Sequence, residues 1–180
     1  LLADTHVGDR TKALSKKLLS AIESENPDLI LHAGDVCQPS AIQTLEAIAP
    51  VRAVQGNRDW LLGHKLPTLE QFEINGLAIT LIHGHINIWR YLLNYARVFL
   101  TGMHATRRSY EYQLASMYPH SDIIIYGHTH FQSDDFHDGI RFLNPGAGYP
   151  QWTSRFKLQY MVLDIDSMGN CKVAQRTLDP

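Results

Sequence analysis

Hydrophobic positions along this chain come in short blocks, and most of the blocks stop at a polar residue able to bind a metal. The opening "LLA" reads as the end of a strand. Strands usually run about 5–6 residues, so this one is expected to begin upstream of Leu1. Over 12–25, "KALSKKLLSAIESE" puts Leu14, Leu18, Ala21 and Ile22 on one helical face. Asn26-Pro27 ends that helix. "DLILHA" is a short apolar strand, residues 40–48 a helix with Ser40 as its N-cap, and "VRAVQ" the next strand. This βαβαβ rhythm predicts a parallel sheet with helices packed on it.

The second half differs. "QFEIN-G-LAITLIH" predicts a hairpin turning at Asn75-Gly76. Residues 87–117, rich in aromatic, Leu and Arg residues, predict helix. "DIIIYG", "IRFLN", "KLQYMVLDID" and "CKVAQRTL" predict strands. Two facing sheets with helices outside fit this order of elements. No repeat or low-complexity linker divides the chain, so a single domain is expected over 1–180, with a helical insert at 86–121.

Composition narrows the class. Hydrophobic residues make up 44% and charged residues 19% of the 180, ordinary values for a globular protein. A net charge of -2 offers no overall basic field for nucleic acid, which weighs against a large duplex substrate. No apolar run reaches the roughly 20 residues that span a bilayer, and no signal peptide is visible, so no membrane partner is expected. Cys37 and Cys171 lie far apart without zinc-knuckle spacing. They read as reduced thiols of a cytoplasmic protein.

Ten histidines are many for this length, and their positions matter more than their number. "LLA" ends in Asp4-Thr5-His6, "LILHA" in Gly34-Asp35, and "VRAVQ" in Gly56-Asn57-Arg58-Asp59. "AITLI" ends in His83-Gly84-His85, and "DIIIY" in Gly127-His128-Thr129-His130. Open α/β sheets bind ligands beyond the carboxyl ends of their strands. One His at a strand end is more often structural, but five endings of the same kind argue against chance. Carboxylate, amide and imidazole donors suit borderline divalent ions such as Mn, Fe, Ni or Zn. The absence of Cys argues against a structural zinc site. Seven candidate ligands exceed the needs of one ion and match two that share a carboxylate. Two ions about 3.5–4 Å apart clamp the attacking and leaving oxygens of a phosphoryl displacement. Outside the ligand set, His32 is expected to be a hydrogen-bonded core residue and Asp59 to orient a ligand or Arg58. Tyr149 and Trp152 are candidates for stacking on a base.

The ordered set of motifs, with "NPGA" at 144–147, resembles the calcineurin-like metallophosphoesterases, and most of all the small YfcE-type phosphodiesterases. The resemblance implies a four-layer α/β/β/α sandwich with two divalent ions, manganese foremost, with Fe, Ni, Zn or Mg as alternatives. It implies Asp4, His6 and His130 on one ion, Asn57, His83 and His128 on the other, and Asp35 bridging. A metal-bridging hydroxide would attack the phosphorus of a small phosphate ester in line. Many relatives carry His where this chain has Arg58. Arg stays protonated, so Arg58 is expected to hold a phosphate oxygen, leaving His85 or a bound water to protonate the leaving group. Residues 86–121 are longer than the short helix of the small relatives and are a candidate lid or homo-oligomer contact. The rival readings are a phosphomonoesterase or protein phosphatase, and a non-catalytic interaction module on the same fold.

Overall fold

The computed structural model describes residues 1–84 and 103–180. The first sheet is built on β1 (Ile30–His32), which pairs in parallel with β2 (Val51–Ala53), Ile30 opposite Val51. Residues 1–4 run parallel along the other edge of β1. Leu2 donates to Leu31 O at 2.8 Å, and Asp4 to Gly34 O at 2.9 Å. Their far edge is closed when Met161 N donates to Leu1 O at 3.1 Å. Met161 belongs to β8 (Leu158–Ile165), which forms an antiparallel ribbon with β9 (Cys171–Leu178).

The second sheet contains β3 (Leu69–Ile74), β4 (Leu77–Ile82), β5 (Ile123–Tyr126), β6 (Ser133–His137) and β7 (Ile140–Asn144), in the order β3-β4-β5-β7-β6. β4, β5 and β7 are parallel, and the two outer strands are antiparallel to their neighbours. Asn75 and Gly76 form the predicted hairpin turn, both at positive φ (49° and 83°), as a two-residue turn of this kind requires.

Strand alternation produces the layers. Ile123 and Ile125 face Leu31, Ala33, Val54 and Met161 in the core between the sheets. Ile124 and Tyr126, one residue out of phase, pack outward with Phe142 against Tyr110, Leu114 and Ala115 of α4 (Met103–Met117). On the other side α1 (Lys16–Ser24) and α2 (Pro39–Glu46) lay Leu18, Ile22, Ala41 and Leu45 over the first sheet. The result is the expected α/β/β/α sandwich. Each buried Ile or Leu contributes roughly 1.5–3 kcal/mol, so the strands are fixed by their apolar middles while their ends are available for polar residues. No helix among the described residues is long and apolar enough to cross a membrane.

Several local expectations change. α1 starts at Lys16, not at residue 12, because residues 7–11 close a tight turn in which Asp9, Arg10 and Thr11 all donate to His6 O. Ser40 is not an N-cap. Pro39 takes the first helical position, where its missing N–H costs nothing, and Ser40 turns to Gln38 Oε1 at 3.3 Å. β6 and the five-residue α3 (Asn57–Leu61) had no periodic signal. β6 buries Ser133 and exposes Phe136, the reverse of the usual pattern. Of the region expected to hold a helical insert, residues 86–102 lie outside the described residues, as does His85.

Candidate metal centre

Residues 1–4, β1, β2, β4 and β5 point their carboxyl ends at one rim of the sandwich, and the candidate ligands sit just past those ends. Asp4, His6, Asp35, His128 and His130 all adopt left-handed backbone, with φ between 49° and 68°. Such non-glycine conformations are uncommon and cost on the order of 1–3 kcal/mol each. They also have a local effect: Asp4 and His6 both turn into the rim, while Thr5 between them turns away to hydrogen-bond buried His32 at 3.0 Å. His32 is thus a core residue.

The side chains converge in two groups. In the first, His130 Nε2 lies 3.2 Å and His6 Nε2 3.9 Å from Asp4 Oδ1. In the second, Asn57 Oδ1 lies 3.0 Å from His83 Nε2 and 3.2 Å from His128 Nδ1. Asp35 stands between them, its Oδ2 at 3.6 Å from both His6 Nε2 and His83 Nε2. Asp4-His6-His130 and Asp4-Asp35-His83 each bring ligand atoms close enough to share an ion. Asp4 Oδ1 and His6 Nε2 are buried without a hydrogen-bond partner. Buried polar atoms are rarely left so, and an ion coordinated by both would satisfy them, so the donor set fits a metal.

The ring orientations fit as well. His83 Nδ1 donates to Ala33 O at 2.7 Å, which turns the Nε2 lone pair inward. His6 Nδ1 meets Asp9 Oδ2 at 3.2 Å, and His130 Nδ1 meets Gln151 Oε1 at 2.8 Å. Partners of this kind fix the tautomer and orientation of metal-binding imidazoles. Burial lowers His6 to a pKa of about 4, so it is neutral and able to ligate. Burial alone would lower His130, but the charge and hydrogen bond of Asp4, with Gln151 and Asp35 adding to them, together raise the group to about 8. Burial opposes ionisation of Asp4 too, yet His130, His83 and His6 together hold that carboxyl well below its usual range. Asp35 has a weaker counter-charge in His83, so burial wins and its pKa rises to about 6. The metal-free cluster therefore retains protons that bound cations would displace.

Asp59 serves the rim from behind. Its carboxylate accepts from Val36 N, Cys37 N and Gly56 N at 3.3, 2.6 and 2.8 Å, clasping the Asp35 loop to the Asn57 loop. Gly56 is required there, because a Cβ would lie 2.1 Å from Asp35 Oδ1. Arg58 donates its backbone N–H to Asp35 Oδ1 at 2.8 Å and turns its guanidinium to Asp9 at 3.3 Å. Tyr149 is not an open stacking platform: it is buried edge-on against His6 and His130, with its hydroxyl on Gln151 Oε1 at 2.9 Å. Trp152 is exposed. Sequence reasoning missed Asp9 and Gln151. Asp9 had a faint signal in its spacing three residues after His6. Gln151 lies in the 148–152 stretch that holds the candidates Tyr149 and Trp152, but nothing marked the Gln itself.

Comparison with known proteins agrees with this geometry. The family model of the calcineurin-like phosphoesterase superfamily domain matches residues 1–168. The chain belongs to that superfamily, a family of metal-dependent phosphoesterases. It is 33% identical to a probable metallophosphoesterase of Methanothermobacter thermautotrophicus, over 92% of this chain and 84% of that protein. It is 34% identical to another of Methanocaldococcus jannaschii, over 82% of this chain and 66% of that protein. Among solved structures, Vps29 of Entamoeba histolytica complexed with Zn2+ matches with a TM-score of 0.67 and 25% identity, over 98% of this chain and 96% of that one. An archaeal phosphodiesterase shares the fold, with a TM-score of 0.66 and 22% identity over 98% and 97% of the two chains.

Proposed function

We propose that this chain is a two-metal phosphodiesterase acting on a small phosphate ester, with manganese as the working metal. The position of Asp35 carries the reading, since one carboxylate oxygen is equidistant, at 3.6 Å, from an imidazole of each group. Donors converge on both sides of Asp35, with Asp4, His6 and His130 on one and Asn57, His83 and His128 on the other. They are more than one ion needs, which supports a carboxylate shared by two. Asp4, His6 and His130 would hold one ion, and Asn57, His83 and His128 the other. Two divalent ions held here supply Lewis-acid neutralisation of the phosphate and lower the pKa of the attacking water. The chain's own residues do the positioning. Ala33 O and Asp9 keep His83 and His6 turned inward, and the Asp59 clasp fixes the loops that carry Asp35 and Asn57. Arg58, its guanidinium 3.3 Å from Asp9 beside the first group, is a charged donor for a phosphate of the substrate and does not supply the leaving-group proton.

The manganese-loaded protein is expected to hydrolyse bis(4-nitrophenyl) phosphate faster than 4-nitrophenyl phosphate. A faster monoester would instead make the chain a phosphomonoesterase. Inactivity on both esters with metal bound would favour an interaction module.

A further inference from the structure

The turn that follows residues 1–4 carries charge that the metal centre leaves over. Asp9 Oδ2 lies 3.2 Å from His6 Nδ1, 3.3 Å from Arg58 Nε and 3.7 Å from Arg10 Nε. One carboxylate is shared by two guanidiniums from separate segments, the 7–11 turn and α3. Among the described residues neither arginine meets a second carboxylate, so one positive charge is in excess. The arginine side chains remain 45% and 35% exposed, open to a ligand.

Neither side chain is left to solvent alone. Arg10 donates to Tyr149 Oη at 2.9 Å and lies 5.7 Å from the centre of that ring. Tyr149 in turn bonds Gln151, which holds His130. Asp9 holds His6. Both arginines are therefore tied, through one intermediate or two, to imidazoles of the first ligand group. An exposed ion pair made for stability is worth about 0–1 kcal/mol and uses one cation. Two guanidinium forks braced beside a phosphoester site match the oxygens of a phosphate.

We infer that Arg10 and Arg58 form an anion subsite beside the metal centre that takes a second phosphate of the substrate. The preferred esters are then phosphodiesters with an additional phosphate group, not diesters with uncharged arms. The inference rests on the phosphodiesterase reading above. A contact remote from the reacting bond acts on binding, so it shows in KM more than in kcat.

The test compares the 4-nitrophenyl ester of thymidine 5′-phosphate with and without a 3′-phosphate, using manganese-loaded protein. The 3′-phosphate is expected to lower KM roughly tenfold, the scale of one hydrogen bond to a charged group. Arg10→Gln is expected to bring the KM ratio of the two esters close to one. A wild-type ratio near one, or a ratio unchanged in Arg10→Gln, overturns the subsite and leaves the phosphodiesterase reading standing. If neither ester is hydrolysed, that reading fails, and calorimetric titration of the metal-free protein with thymidine 3′,5′-bisphosphate still tests the subsite. Weaker binding by Arg10→Gln supports it, and equal binding overturns it.

Discussion

Asp59 and Asp4 are both wholly buried, yet they use their oxygens in opposite ways. Asp59 accepts three backbone N–H groups and ties two loops together. Asp4 spends Oδ2 on His128 N at 3.0 Å and turns Oδ1, without a hydrogen bond, toward His6, His83 and His130. Asp35 combines the two habits, with Oδ1 on Arg58 N and Oδ2 between two imidazoles. The difference separates structure from chemistry. A carboxylate saturated by backbone donors holds the fold, and one aimed at imidazoles with an atom unspent is set for a ligand.

The sharpest way to break this contrast is to substitute one carboxylate of each kind. Asp35→Asn is expected to reduce hydrolysis by roughly 10²–10³-fold or more, the scale of losing one transition-state charge contact. It should not weaken the metal-free fold. The Asp35 pKa is raised from 3.8 to about 6, so above pH 6 its charge works against folding, and Asn removes that charge. Thermal unfolding without metal should show an equal or higher Tm. Asp59→Ala should do the reverse. Three buried N–H groups lose their acceptor, costing about 3 kcal/mol or more, or roughly 10 °C in Tm, while the folded fraction still binds metal. A loss of Tm in Asp35→Asn, or a stable Asp59→Ala, would erase the distinction.

A smaller effect comes from pH. His130 in the metal-free protein is raised from 6.5 to about 8 by its Asp4 partner. The stability it contributes is complete below pH 6.5 and is lost as pH rises through about 8. An incoming ion must displace that proton. Metal affinity should therefore climb with pH up to about 8 while metal-free stability declines. Isothermal titration with manganese across this range checks the first trend, and metal-free melting curves check the second.

The strands and the rim were legible because apolar blocks mark strands and five of those blocks ended in metal-binding residues. The hairpin at Asn75-Gly76 was legible from its turn chemistry. β6 was not, because it buries Ser133 and exposes Phe136. α3 was too short to show a helical period. The left-handed backbone at Asp4, His6, Asp35, His128 and His130 was not legible, because Asp and His favour that region more than most residues do yet adopt it only in a minority of cases. Asp9 and Gln151 escaped for a different reason. They act on the imidazoles from outside the strand ends, and Gln151 lies 21 residues from the His130 it orients. Tyr149 was placed near the site, but its packing against two imidazoles depends on tertiary contacts that no local pattern encodes.

The claim that joins these observations is that Asp35 serves two ions at once. Counting manganese per chain by elemental analysis after equilibrium dialysis, in the wild-type protein and in Asp35→Asn, tests it most directly. The account predicts two ions in the wild type and loss of most of both in the variant. One ion per wild-type chain, or two ions and full activity retained by Asp35→Asn, would contradict it.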